Sequence, residues 1–129
     1  MKSVVLCGSK RFKKEMGEFA KNLKDKGIVV YEPNLYRGGK EWDTLSGDYK
    51  RYILMGLTHD HFYKIKKADV VFVYNKGGYI GNSTTLEIGY AVACDKPIYA
   101  FEEDIEEGCR NVLFTDLIKT PTQLIKRLK

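Results

Sequence analysis

The run Gly77-Gly78-Tyr79-Ile80-Gly81-Asn82-Ser83-Thr84-Thr85-Leu86-Glu87 concentrates the residue types that bind and attack small ligands. Glycine lets a backbone approach a ligand closely, and a Ser/Thr-rich helix start offers free amides and hydroxyls to an anion or a sugar. Gly81, Asn82, Ser83 and Thr84 are therefore candidate substrate contacts. Glu87, one turn into the helix, is a candidate nucleophile. A purely structural reading stands beside this one, because Thr84 and Glu87 have the spacing of a capping box.

A second segment, Cys7-Gly8-Ser9-Lys10-Arg11, lies at a turn from strand to helix. Gly8, Ser9, Lys10 and Arg11 supply a close backbone, free amides and cationic donors, which together make a phosphate cradle. The alternative is a tight turn with a helix cap. His59-Asp60-His61 invites a metal reading, but residues two apart on a helix face different sides and chelate poorly. Cys7, Cys94 and Cys109 are an odd number without metal-ligand spacing, and Cys7 and Cys94 fall in apolar stretches where a thiol packs as a small hydrophobe. No disulfide framework, metal or other cofactor is expected. Tyr36, Trp42 and Tyr79 lie in loops, where they would stack on a base or simply join the core.

These residues are positioned by two alternating patterns. Ser3 to Cys7 reads as a strand, and Lys10 to Lys26 as a helix with Phe12, Met16, Phe19, Ala20 and Leu23 on one face. Gly27 ends that helix, and Ile28 to Tyr31 form a second strand stopped by Pro33. Asn34 to Gly47 is a long polar connection, a length more typical of a functional loop than of a linker. Asp48 to Lys67 reads as a helix, with Gly56 and Thr58 as candidate points of interruption, and Asp69 to Tyr74 as the third strand. A loop over Asn75 to Asn82 leads into a helix over Ser83 to Cys94, followed by strands at Pro97 to Phe101 and Asn111 to Phe114. Thr120, Pro121 and Gln123 then open a last helix with a capping box. This order predicts one α/β domain over residues 1–129, a doubly wound flavodoxin- or Rossmann-like fold with a five-stranded parallel sheet in the order 2-1-3-4-5. Its ligand crevice would lie between the ends of the first and third strands.

Composition agrees with a single domain: 129 residues, 43% hydrophobic and 30% charged, suffice for one core. No secretory leader pattern and no bilayer-length apolar run is visible, so a cytoplasmic protein without membrane contact is expected. The net charge of +5 comes from basic clusters interleaved with Glu15, Glu18 and Asp25, which read as solvated helix faces rather than a nucleic-acid surface. A small phosphorylated ligand also suits this charge.

Asp69 to Tyr74, the glycine loop, Glu87-Ile88-Gly89-Tyr90-Ala91 and Asp95-Lys96-Pro97 together resemble the nucleoside 2-deoxyribosyltransferase superfamily, which includes the deoxynucleoside 5′-monophosphate N-glycosidases. Its members place a nucleophilic glutamate before a Gly-x-Ala helix segment, after a strand opening with Ala-Asp, and Ala68-Asp69 and Glu87 match both marks. The resemblance runs from about Val4 to Phe101 and is strongest in the second half. Cys7-Gly8-Ser9 with Arg11 is similar to the phosphate-binding turn of the monophosphate N-glycosidases.

Three positions depart from the family pattern. Val5 or Leu6 stands where a first-strand tyrosine is usual. His61, with Asp60 beside it, stands where an aspartate is usual, and Gly81 replaces a serine or aspartate for which Ser83 or Thr84 would substitute. The resemblance implies cleavage or transfer at the N-glycosidic bond of a nucleoside or nucleoside 5′-monophosphate. Glu87 would attack the anomeric carbon, Asp60 or His61 would handle the leaving-base proton, and Ser9, Lys10, Arg11 and Ser83 would hold the phosphate. It also implies a homo-oligomer, most simply a dimer, in which Asn111 reaches the neighbouring site. Two other readings stay open: a non-catalytic nucleotide-binding module, and a phosphoribohydrolase of the cytokinin-activating type, whose usual loop proline is missing here.

Overall fold

A computed structural model describes residues 2–35 and 39–128. Tyr36 lies outside the described residues. The strands are β1 (Ser3–Gly8), β2 (Val29–Tyr31), β3 (Val70–Tyr74), β4 (Ile98–Ala100) and β5 (Asp116–Leu117). They form one sheet of parallel neighbours in the order β2-β1-β3-β4-β5, as the alternation of patterns predicts. The helices are α1 (Lys13–Asp25), α2 (Gly39–Thr44), α3 (Gly47–Lys67), α4 (Asn82–Ala93), α5 (Gly108–Asn111) and α6 (Pro121–Leu128). No helix of the described residues is long and apolar enough to cross a membrane.

Strand alternation divides the core into two layers. Val4 and Leu6 of β1 and Phe72 and Tyr74 of β3 pack on α1 and α6, where the Phe19 and Phe72 rings stack at 4.6 Å. Val5 and Cys7 of β1 and Val71 and Val73 of β3 pack on the other side, against Ile65 of α3 and Ile88 and Ala91 of α4. Both central strands are buried along nearly their whole length, which explains their unbroken apolar sequences.

Three expectations need correction. α3 runs unbroken through Gly56 and Thr58, because a glycine inside a helix weakens it by only about 1 kcal/mol and removes no hydrogen bond. The long connection after β2 contains α2, which carries Trp42. The last strand is not Asn111 to Phe114. Asn111 ends α5, Val112 is exposed, and β5 pairs at Asp116 and Leu117 with Tyr99 and Ala100. The apolar run Val112-Leu113-Phe114 imitates a strand, but the Asp104 main chain binds the Asn111 amide and holds that segment in a turn. The capping box of α6 forms as read: Thr120 Oγ1 accepts from the Gln123 amide at 3.2 Å, and Gln123 Oε1 accepts from the Thr120 amide at 3.2 Å.

Candidate active site

Gly8 at the end of β1 lies in register with Tyr74 at the end of β3, so the turns after both strands open onto one crevice. A Cβ at position 8 would stand 2.8 Å from Met16 Sδ and 2.9 Å from the Tyr74 carbonyl oxygen, which makes this glycine a close-packing requirement. The crevice is a cleft of about 460 Å³. Its floor and walls come from Gly8, Ser9 and Lys10, from Pro33 to Leu35 after β2, from Leu57, Thr58 and His61 of α3, and from Gly81 to Thr84 and Glu87 of α4. Such a volume suits a ligand of nucleotide size.

Glu87 does not cap its helix. α4 begins at Asn82 with Gly81 as its N-cap, and the local hydrogen bond there runs from Thr85 Oγ1 to the Gly81 carbonyl at 2.9 Å. Its carboxylate instead turns into the cleft floor, 3.6 Å from His61 Nε2. Burial raises the Glu87 carboxyl to about 7, with the Cys7 thiol drawing it slightly back. The fold thus prepares a carboxyl that changes charge near neutral pH, the property expected of a reacting group.

His61 is 5% exposed, and burial, assisted by the nearby Lys64 charge, pushes it down to about 4. Its ring is therefore neutral at pH 7. Among the described residues His61 Nδ1 has no partner, and a buried N–H without an acceptor costs more than a bare ring nitrogen, which assigns the proton to Nε2. That nitrogen lies 3.3 Å from Cys7 Sγ. Burial and the Glu87 charge together raise the Cys7 thiol well above its ordinary value. Cys7, His61 and Glu87 form one contiguous polar cluster on an otherwise apolar layer.

The remaining candidates separate. Lys10, Gly8, Ser9, Gly81, Asn82, Ser83 and Thr84 all line the cleft. Ser9 Oγ also accepts the Arg11 amide at 3.3 Å, so it caps the first turn while facing the ligand space. Arg11 stands beside the cleft, its guanidinium 3.5 Å from the centre of the Tyr79 ring. Asp60 is turned away: it pairs with Lys64 at 2.9 Å on the outer face of α3 and does not line the cleft. Trp42 sits on α2 under Lys50 and is likewise absent from the lining.

Asn111 is held in its own loop. Its Oδ1 accepts from the Asp104 amide at 2.6 Å and its Nδ2 donates to the Asp104 carbonyl at 2.9 Å. Reaching any other site would require giving up both bonds. Cys7 was missed as a site residue because its apolar neighbours suggested core. Its parity with Val5 was the available signal, since it puts the thiol on the sheet face that α3 and α4 cover.

No protein-family model and no curated protein sequence matches the chain. Solved structures do. The 2-deoxyribosyltransferase of Bacillus psychrosaccharolyticus aligns over 95% of this chain and 89% of its own, at 16% identity and a TM-score of 0.68. A CMP N-glycosidase of Clostridium botulinum aligns over 98% and 97%, at 20% identity and a TM-score of 0.55. A conserved protein of Enterococcus faecalis V583 aligns over 99% and 97%, at 17% identity and a TM-score of 0.62. Over nearly its whole length, this chain has the fold that those proteins share.

Proposed function

We propose that the chain is an enzyme of the nucleoside 2-deoxyribosyltransferase superfamily that cleaves or transfers at the N-glycosidic bond of a nucleoside or nucleoside 5′-monophosphate. The observation that carries this reading is Glu87 itself: a carboxyl raised to about 7, free of any capping duty, on the floor of a nucleotide-sized cleft. The shared fold with a deoxyribosyltransferase and a CMP N-glycosidase supports the same reaction class.

In this reaction an ionised Glu87 oxygen attacks the anomeric carbon as the C–N bond breaks. The bonding pair leaves on the base, which takes up a proton from solvent in the open cleft, and the transition state is oxocarbenium-like. Water or a second base then attacks the same carbon and frees the carboxylate. Of the two residues considered for the proton, His61 borders the cleft and Asp60 does not, so His61 is retained as the hydrogen-bonding partner of the site. Ser9, Lys10 and the free amides at the start of α4 would bind a 5′-phosphate, with Arg11 at the edge. Incubating the protein with nucleosides and their 5′-monophosphates and measuring base release tests this directly. Release that vanishes in Glu87→Gln supports the reading, and no release from any substrate while nucleotides still bind favours the non-catalytic module.

The active unit in this reading is a homodimer. α3 exposes Tyr49, Tyr52, Leu54 and Met55, and Leu54 also lines the cleft, so a second copy seated there would close the open wall. Sedimentation at micromolar concentration would return twice the chain mass. A fully active monomer would exclude it.

A further inference from the structure

We infer that Cys7, His61 and Glu87 together form a binding site for one thiophilic divalent cation, with zinc as the fitting ion. The three donors come from three elements, the end of β1, α3 and α4, and their ligand atoms all lie within 4.8 Å of one another. Cys7 Sγ is 3.3 Å from His61 Nε2, and that nitrogen is 3.6 Å from a Glu87 carboxylate oxygen. Bonds of about 2.0–2.3 Å to N, O and S place neighbouring ligand atoms of a tetrahedral zinc ion roughly 3.3–3.6 Å apart. Two edges of the cluster therefore already have the length such an ion requires.

The donor set points the same way. Thiolate and imidazole select zinc-like ions, whereas magnesium and calcium take oxygen ligands. Among the described residues, His61 is the one basic side chain within 4.0 Å of the Glu87 carboxylate, so no lysine or arginine occupies the cation's place. Three protein ligands leave a fourth position, and because His61 and Glu87 both line the cleft, that position opens onto it. Structural zinc sites are closed by four protein ligands. Sites with three keep one position for water or a ligand. On binding, the Cys7 thiol gives its proton to solvent and its sulfur lone pair to the ion, Glu87 binds as the carboxylate, and the His61 proton moves from Nε2 to Nδ1 so that Nε2 can ligate.

This inference goes beyond the glycosidic reading and does not depend on it. If Glu87 is the nucleophile, a bound ion occupies the electron pair it needs, and zinc becomes an inhibitor of base release. The two ideas are separated by measuring metal without substrate. Chelator-treated protein is titrated with zinc against a chromophoric competitor, and in parallel with cobalt(II) followed by absorption. One equivalent should bind, and the cobalt form should show a near-ultraviolet thiolate charge-transfer band together with the visible bands of a tetrahedral ion.

Cys7→Ser should abolish the charge-transfer band, and His61→Ala should weaken zinc binding by at least about 100-fold. Glu87→Gln, at the cleft surface, gives the same reading should the buried variants fold poorly. No saturable binding at one equivalent, or binding unchanged by these substitutions, overturns the site.

Discussion

Among the described residues, Asp104 and Glu87 both carry largely buried carboxylates, and they behave in opposite ways. Asp104 accepts from the Glu106 and Glu107 amides at 2.7 Å each and from Arg110 Nε at 2.6 Å. Burial would raise its pKa, but the Arg110 bond and the two amides outweigh burial and hold it below the ordinary value. Arg110 also donates to Thr85 Oγ1 at 3.0 Å, which ties this loop to the first turn of α4. Among the described residues, Glu87 has no such company. Its neighbours are a neutral imidazole and a thiol, and burial moves it to about 7. Burial alone therefore does not make a carboxylate reactive. What matters is whether its charge is satisfied, so Asp104 supports the fold while Glu87 is available for chemistry.

The sharpest break between the two is in turnover. Glu87→Gln should lower base release by at least about 1000-fold with nucleotide binding retained, as expected for loss of a nucleophile. Asp104→Asn should leave the folded protein active. If single-turnover assays show the reverse, the roles assigned to the two groups are exchanged.

Stability should show the opposite ranking. Asp104→Asn removes one partner of a buried ion pair and should cost about 3 kcal/mol, read as a lower denaturant midpoint. An Asp104→Asn protein as stable as the parent would break the comparison. Glu87→Gln should instead stabilise at alkaline pH. The folded carboxyl titrates at about 7 against an ordinary 4.5, so its contribution is fully present below 4.5 and lost as pH rises through about 7. That shift corresponds to on the order of 3 kcal/mol above pH 8. The gain of Glu87→Gln over the parent should grow from pH 5 to pH 8 in paired melts. A capping role would give a pH-independent loss of about 1 kcal/mol instead.

The same titration predicts that kcat/KM rises with pH through about 7 as Glu87 ionises. His61, whose folded pKa is lowered from 6.5 to about 4, destabilises the fold only as pH falls through that range. An acid limb of kcat/KM centred near 4.5 would indicate that Glu87 is not the titrating group.

The smallest effect concerns the ligand. Arg11→Ala should remove a preference for 5′-monophosphates over nucleosides worth ~1.5–3 kcal/mol, about 10- to 100-fold in affinity. Arg11 stacks on Tyr79 beside the cleft, so a binding titration that shows no change would assign it to packing alone.

Much of the fold was legible in the order of residues. Alternating apolar runs and helical periodicities, with Gly27 and Pro33 as stops, placed the first four strands and pointed to the parallel order and the crevice between β1 and β3. These follow from local pattern and from the handedness of crossovers, and both act along the chain. That Gly8, Ser9, Lys10 and the start of α4 border the crevice was readable for the same reason, because turns after parallel strands must face it. Local pattern failed at Asn111 to Phe114, where the Asp104 main chain, seven positions earlier, binds the Asn111 side chain and holds the segment in a turn.

Tertiary structure alone decided which charged groups meet. Thr84 and Glu87 had capping spacing, yet the helix starts at Asn82 and the carboxylate reaches His61. Asp60 and His61 are adjacent in sequence, but helical rotation sends one to solvent with Lys64 and the other to Cys7, 54 positions away. Spacing along the chain can propose a carboxylate. Its pKa and its partners depend on what the folded chain removes from water around it, and no local sequence pattern records that.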